Sequence, residues 1–280
     1  MQPTIGPIAL FTSAWATFKA YWKPLVAVAA VPSVLFYFGQ IFSIADNIAL
    51  SIAGVIVALA GMVMGIAVQP ALITAVQRIH DQPGVQLPLK EQYRNGFRYF
   101  WPIVGLAILN GLIAIGGLML FFIPVVILEV YLSLYLFLRI LDDKRGFSAF
   151  TESYALIKGR WFKALWRLLF LVLVYGGLSI IVGGVMFLVH ALTGIPVKSA
   201  ASDLISGLLS LVFNAGMMPL AMIYMYNMYA SFKATRPQDA GAGAFKGWLI
   251  FFLVFGCAII VAIPVLATIF AGSMSSYPQP

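Results

Sequence analysis

The sequence predicts an all-α, polytopic membrane protein, and three observations carry that reading. Of the 280 residues, 62% are hydrophobic and only 9% charged, where a soluble domain carries about 25% charged residues. So few charges cannot solvate the outside of a globule. The mean hydropathy is +0.99, and the apolar residues gather into runs of the roughly 20 residues a helix needs to cross a bilayer. The third observation is the position of the bases, which cluster in the short connections between those runs. A soluble enzyme and a disordered chain are excluded. A disulfide scaffold is excluded too, because Cys257 is the single cysteine.

Seven spans follow in chain order, at about Trp22–Phe42, Ile48–Ile73, Trp101–Gly117, Phe121–Leu138, Leu165–Leu192, Leu204–Tyr229 and Trp248–Ala271. They form one transmembrane domain over residues 1–272, followed by a polar tail, Ser273 to Pro280, expected to be disordered. The third and fourth spans come from an almost unbroken apolar stretch, residues 101–138. As one helix it would be about 57 Å long, nearly twice the ~30 Å hydrocarbon core. A hairpin turning between Gly116-Gly117 and Pro124 resolves this, since glycine and proline permit a break; a re-entrant pair is the alternative. The first ten residues carry no positive charge and no small-residue cleavage pattern follows, so the first run reads as an uncleaved signal anchor.

Sixteen of the 17 Lys and Arg fall in the connections on one side of this topology, and only Lys198 falls on the other. The positive-inside rule then places the N-terminus in the cytoplasm and the C-terminus outside. All six tryptophans (Trp15, Trp22, Trp101, Trp161, Trp166 and Trp248) are expected at the same boundary, where amphipathic rings favour headgroup depth. The formal charge of +8 therefore points to anionic headgroups rather than to nucleic acid.

A weak repeat marks that boundary. An apolar residue, a base, two residues and a tryptophan recur as Phe18-Lys19-Ala20-Tyr21-Trp22, Phe97-Arg98-Tyr99-Phe100-Trp101 and Ile157-Lys158-Gly159-Arg160-Trp161, with Lys163 just beyond. Phe245-Lys246-Gly247-Trp248 is a shortened fourth copy. Upstream of the third copy, Phe147, Phe150, Tyr154 and Ile157 recur at i, i+3, i+7 and i+10, one apolar stripe of a helix. Amphipathic helices before spans one, three and five are thus expected to lie in the headgroup plane, apolar face down and bases toward phosphate. At the least they anchor the spans at the correct depth. Jointly they make a candidate site for anionic lipid or a protein partner, carried by Lys19, Trp22, Arg98, Trp101, Lys158, Arg160, Trp161 and Lys163.

The stretch from Phe121 to Leu165 carries Ile123-Pro124, Asp142-Asp143, Phe147-Ser148-Ala149-Phe150, Glu152-Ser153-Tyr154 and Lys158-Gly159-Arg160-Trp161. It resembles the membrane domain fused to some bacterial glycerophosphoryl diester phosphodiesterases and that domain's stand-alone polytopic relatives. The resemblance is best over residues 88–190. It implies a bundle of membrane helices in a bacterial plasma membrane. The chain has Pro124-Val125 where that family has Pro-Gly, and its seventh span looks like an addition. The catalytic barrel of the fused phosphodiesterases has no counterpart, so hydrolysis is not implied.

Polar residues inside the spans are few. Glu129 lies about seven residues into span four, where an ionised carboxylate costs on the order of 2.5–3.5 kcal/mol on insertion scales. Asn110 and Asn214 lie at comparable depth by counting and are its natural partners. The three could form interhelical hydrogen bonds or line a proton- or cation-linked solute path. Met218, Met222 and Met225 form a stripe that reads as adaptable packing rather than a copper site. Gly61 and Gly65, extended by Gly54 and Ala58, form a small-residue ridge suited to close helix contact. His80 and His190 fall on opposite sides of the membrane, and His190 reads as interfacial. Asp142-Asp143 reads as a solvated turn. No catalytic constellation, phosphate-cradling loop or metal cluster is legible, so neither enzymatic activity nor a cofactor is expected. The leading reading is a non-catalytic integral membrane protein that engages anionic lipid or a protein partner through its basic, Trp-rich cytoplasmic face. The alternative is a small-solute or ion transporter using Glu129, Asn110 and Asn214.

Overall fold

Seven helices are long and apolar enough to cross a membrane in the computed structural model, which describes residues 6–43, 47–120, 122–196, 199–236 and 243–275. Among the described residues every regular element is an α-helix. In chain order they are α1 (Pro7–Ser43), α2 (Ile48–Asp81), α3 (Leu89–Arg98), α4 (Phe100–Leu120), α5 (Phe122–Leu132), α6 (Tyr135–Leu141), α7 (Phe147–Ile157), α8 (Trp161–Thr193), α9 (Ala200–Ala234) and α10 (Gly243–Ser275). The expected spans correspond to α1, α2, α4, α5 with α6, α8, α9 and α10.

The first expected interfacial helix is not separate. It runs into span one as α1, with non-helical backbone at Tyr21 (φ −125°, ψ 20°). Pro24 accounts for this, because its ring meets the carbonyl of Ala20 and it has no N–H to donate there. The kink is tied to the connection between α2 and α3: the Gly84 N–H donates to the Tyr21 hydroxyl at 2.6 Å. Beyond it, α1 and α2 pack backbone to backbone. A Cβ on Gly39 would strike the Ala58 backbone, and one on Gly61 would sit 2.6 Å from the Phe36 amide nitrogen. The small-residue ridge thus serves contact within one chain, while Gly65 meets nothing and stays open.

The stretch of residues 101–138 divides between Leu120 and Phe122, within the expected window from Gly116 to Pro124. Gly116 and Gly117 are inside α4, which runs on to Leu120. Both glycines are used for packing. Gly116 faces the backbone of α10 at Phe252 and Gly256, and Gly117 faces Val125 of α5. The two arms, 20 and 19 residues long, each reach roughly 30 Å at 1.5 Å per residue, which matches the hydrocarbon core. At the other end of the chain, helix continues through Ser275; the first three residues of the expected tail are helical, and residues 276–280 lie outside the described residues.

Span four is broken at Ser133-Leu134 between α5 and α6. A break in an apolar phase frees backbone groups that water cannot reach. Ser153 of α7 supplies the partner: its hydroxyl donates to the Tyr131 carbonyl at 2.6 Å and accepts from the Leu134 N–H at 3.2 Å. Ser153 is fully buried, which explains why a hydroxyl sits among the apolar residues of α7. Replacing Ser153 with Ala leaves both groups unsatisfied and should cost about 1–3 kcal/mol. Denaturant titration in micelles, with Thr151→Ala as an exposed control, tests this; equal stability of the two variants would remove Ser153 from the role.

Candidate functional site

Each of the three amphipathic helices buries apolar residues against protein. On the first, Leu10 and Ala14 are buried, and Phe11 meets Phe170 of α8 edge-on at 5.9 Å. On the second, Tyr93 of α3 is buried and donates to the Val28 carbonyl of α1 at 2.6 Å. Gly96 of the same helix lies against the Ala67 carbonyl of α2. The third is the most enclosed. Phe150 and Ile157 are fully buried, Phe150 packs on Tyr135 at 5.0 Å, and Tyr154 stacks on Phe245 of α10 at 3.9 Å. The apolar stripe read from the sequence is therefore real, but its partner is the bundle. The pattern alone could not distinguish protein from lipid as the apolar phase.

What these helices present outward is base and indole. Lys19 lies 5.5 Å from the Trp15 ring and Lys23 lies 6.0 Å from the Trp22 ring. Arg98 stands over Tyr99 at 6.0 Å, and Lys158 over Tyr154 at 5.9 Å. Such exposed cation–π pairs contribute about 0.5–1 kcal/mol each and hold a charge beside an amphipathic ring. Trp22, Trp166 and Trp248 are exposed, and Trp101 is 77% exposed. Lys158 and Lys163 are also exposed. Trp161 differs from the rest: it is half-buried, and its Nε1 donates to the Ile127 carbonyl of α5 at 3.3 Å.

Arg160 is not available to a lipid. Its guanidinium donates to the Thr235 carbonyl at 3.0 Å, to the Phe232 carbonyl at 3.3 Å, and to the Leu156 carbonyl and Thr235 hydroxyl. It thereby satisfies carbonyls at the C-terminal ends of α7 and α9 while standing at the N-terminus of α8. The Phe232 ring lies between Arg160, at 4.8 Å, and Arg167, at 4.7 Å. Burial holds the Arg160 guanidinium below its ordinary range. Arg167, which the sequence reading counted as one more surface base, is itself buried, and its carbonyl accepts from Tyr224 of α9 at 2.9 Å.

The acidic turn is likewise less solvated than the sequence suggests. Asp142 pairs with Lys233 of α9 and accepts from the Tyr229 hydroxyl at 2.7 Å. Asp143, exposed and at φ +49°, bonds to Arg139 and lies 3.2 Å from Arg145. The hydrogen bond from Arg139, aided by Arg145, holds its carboxyl below the usual carboxylate range.

Of the three intramembrane polar residues, two meet. The Asn110 amide of α4 donates to both Glu129 carboxyl oxygens of α5, at 3.2 and 3.4 Å. Asn214 does not join them. Its amide donates to the Ser210 carbonyl at 2.8 Å, its oxygen accepts from the Tyr175 hydroxyl at 3.4 Å, and it lines a cavity between α1, α2 and α9. Counting residues from the start of each span gave similar depths but could not say which helices are neighbours. His190 bonds Ser202 across the α8–α9 turn at 2.7 Å. The sequence reading missed Ser153, Arg167 and the cavity. For the last a signal was present: Asp203, Ser206, Ser210 and Asn214 recur at i, i+3, i+7 and i+11.

Comparisons with protein-family models, with curated proteins and with solved structures return no match. The site must therefore be read from its own chemistry. Arg160→Ala should destabilise the fold by about 1.5–3 kcal/mol, the range for buried hydrogen bonds to a charged group. Lys163→Ala, at an exposed position, should cost less. Arg160→Lys should not rescue, because an ammonium cannot reproduce the planar fork. Thermal unfolding in detergent distinguishes these outcomes, and equal midpoints for the two alanine variants would return Arg160 to the surface.

Proposed function

We propose that this integral membrane protein is non-catalytic and holds anionic lipid headgroups on its base- and tryptophan-rich side. The observation that carries the reading is the pairing of exposed bases with largely exposed indoles at the starts of spans one, three and five. Lys19 and Lys23 flank Trp22, Arg98 precedes Trp101, and Lys163 lies between Trp161 and Trp166. The rings favour headgroup depth, and each base at that depth attracts an anionic surface by about 1 kcal/mol. Packing of the carrier helices on the bundle supports the reading in a second way. Bases on a docked helix are held in fixed relation to one another, so less ordering is needed when a headgroup binds. The bacterial plasma membrane, with these bases toward the cytoplasm, is the location implied by the resemblance and by the distribution of charge.

Native mass spectrometry of the purified protein for co-purified lipid tests the proposal. The variant to compare is Lys19→Ala/Lys23→Ala/Arg98→Ala/Lys163→Ala, with Arg160 left in place so that the fold is spared. At about 1 kcal/mol per base, retained anionic lipid should fall roughly tenfold or more even after screening. Equal retention in variant and wild type would reduce the repeats to anchors.

Transport through Glu129 is the weaker reading, since Asn214 has other partners and the Asn110–Glu129 contact is accounted for as a helix–helix bond. Glu129→Gln should shift stability by no more than about 0.6 kcal/mol, the average worth of such bonds. Proteoliposome flux should be unaltered between pH 5 and 8. A change in flux, or in its pH dependence, would make the carboxyl functional.

A further inference from the structure

The half of α1, α2 and α9 that lies away from Arg78, Asp142 and Lys233 encloses a cavity of about 1050 Å³, at the upper end of the ~300–1,000 Å³ typical of small-molecule sites. It is long and narrow. Its lining runs along α9 from Asp203 to Ala221, about 27 Å at 1.5 Å per residue. Chemically it is graded along that length. Asp203, Ser206, Ser210 and Asn214 follow one face of α9, whereas the deeper end is closed by Val68, Met217, Met218 and Ala221.

Several donors at the polar end are already engaged. The Ser206 hydroxyl donates back to the Asp203 carbonyl at 3.1 Å, the Tyr37 hydroxyl to the Leu204 carbonyl at 2.8 Å, and the Tyr175 hydroxyl to Asn214. The Asn214 amide is spent on Ser210. Gln40 also lines the cavity, and the acceptors that face an occupant include lone pairs on Ser206 and Asn214 and the Asp203 carboxylate. Asp203 is the single carboxylate in the lining, which holds no Lys, Arg or His, and no described cation pairs with it. An anionic headgroup would meet a carboxylate there. A protonated amine would find acceptors along more than two turns of helix, with an apolar end beyond for a hydrocarbon chain. We propose that this slot binds a single-chain amphiphile with an amine head, seated head toward Asp203 and tail toward Met217 and Met218. The preference is opposite in sign to that of the basic side, and it stands independently of the lipid reading above.

Gly65 provides a clean test, because it lines the slot and a Cβ there meets no atom within 4 Å. Gly65→Leu should fill the space without disturbing the α1–α2 contact made at Gly39 and Gly61. The probe is a diazirine-bearing hexadecylamine, photolysed on the full chain in micelles, with labelled positions mapped by peptide mass spectrometry. The matched hexadecanol serves as the neutral control. Label should concentrate on slot residues such as Phe36, Met62 and Met218, and Gly65→Leu should abolish it there while leaving the melting temperature unchanged. Asp203→Asn should lower amine labelling about threefold, the scale of a partly exposed ion pair, and leave the alcohol unaffected. Label spread evenly over the lipid-facing sides of α8 and α10 would overturn the site, as would label persisting in Gly65→Leu. Equal response of amine and alcohol to Asp203→Asn would overturn the amine preference.

Discussion

In an apolar phase a backbone N–H or C=O without a partner costs several kcal/mol, and no water is at hand to relieve it. The places where this chain leaves regular helix are organised around that cost. Ser153 reaches from α7 to serve the break in span four. Arg160 takes up the final carbonyls of two helices at once. Each of these partners is remote in sequence or sits on a different helix, so the irregular backbone and the tertiary packing stabilise one another. A bundle with fewer such links would have to keep its spans unbroken.

The charges divide along the same line. Arg139, Arg160, Arg167, Asp142 and Lys233 make contacts inside the protein and join span four to the ends of α7 and α9. Lys19, Lys23, Arg98 and Lys163 stand outside, most of them beside an indole or phenol ring. The first group can be removed only at the expense of the fold. The second can be removed at less cost to it, and it is this group that has the chemistry to hold an anionic surface.

Two regions of opposite preference result. One side of the molecule offers cations and amphipathic rings, whereas the cavity between α1, α2 and α9 offers acceptors and one carboxylate. α8, which touches its neighbours sparingly and exposes Ile180, Phe187 and Leu192, leaves one flank of that cavity thinly covered. A hydrocarbon chain could thus reach the slot from the bilayer rather than from water.

Hydropathy and the distribution of bases were enough to count the spans, because twenty apolar residues in a row have few other uses and charge is expensive in hydrocarbon. The i, i+3, i+7 stripe of Phe147, Phe150 and Tyr154 identified a helix for the same kind of reason: periodicity is a local property. Neighbourhood is not. Whether that stripe meets lipid or α10, whether Arg160 meets headgroups or the end of α9, and whether Asn214 meets Glu129 or Tyr175 depends on which helices lie side by side. That arrangement follows from close approaches such as Gly39 on Ala58 and Gly116 on Gly256, between residues distant in the chain. One sequence records the small residues that permit such contacts but not the pairs they form. Composition and period therefore determined the class and the spans of this protein, while packing between distant glycines decided where its charges and its cavity lie.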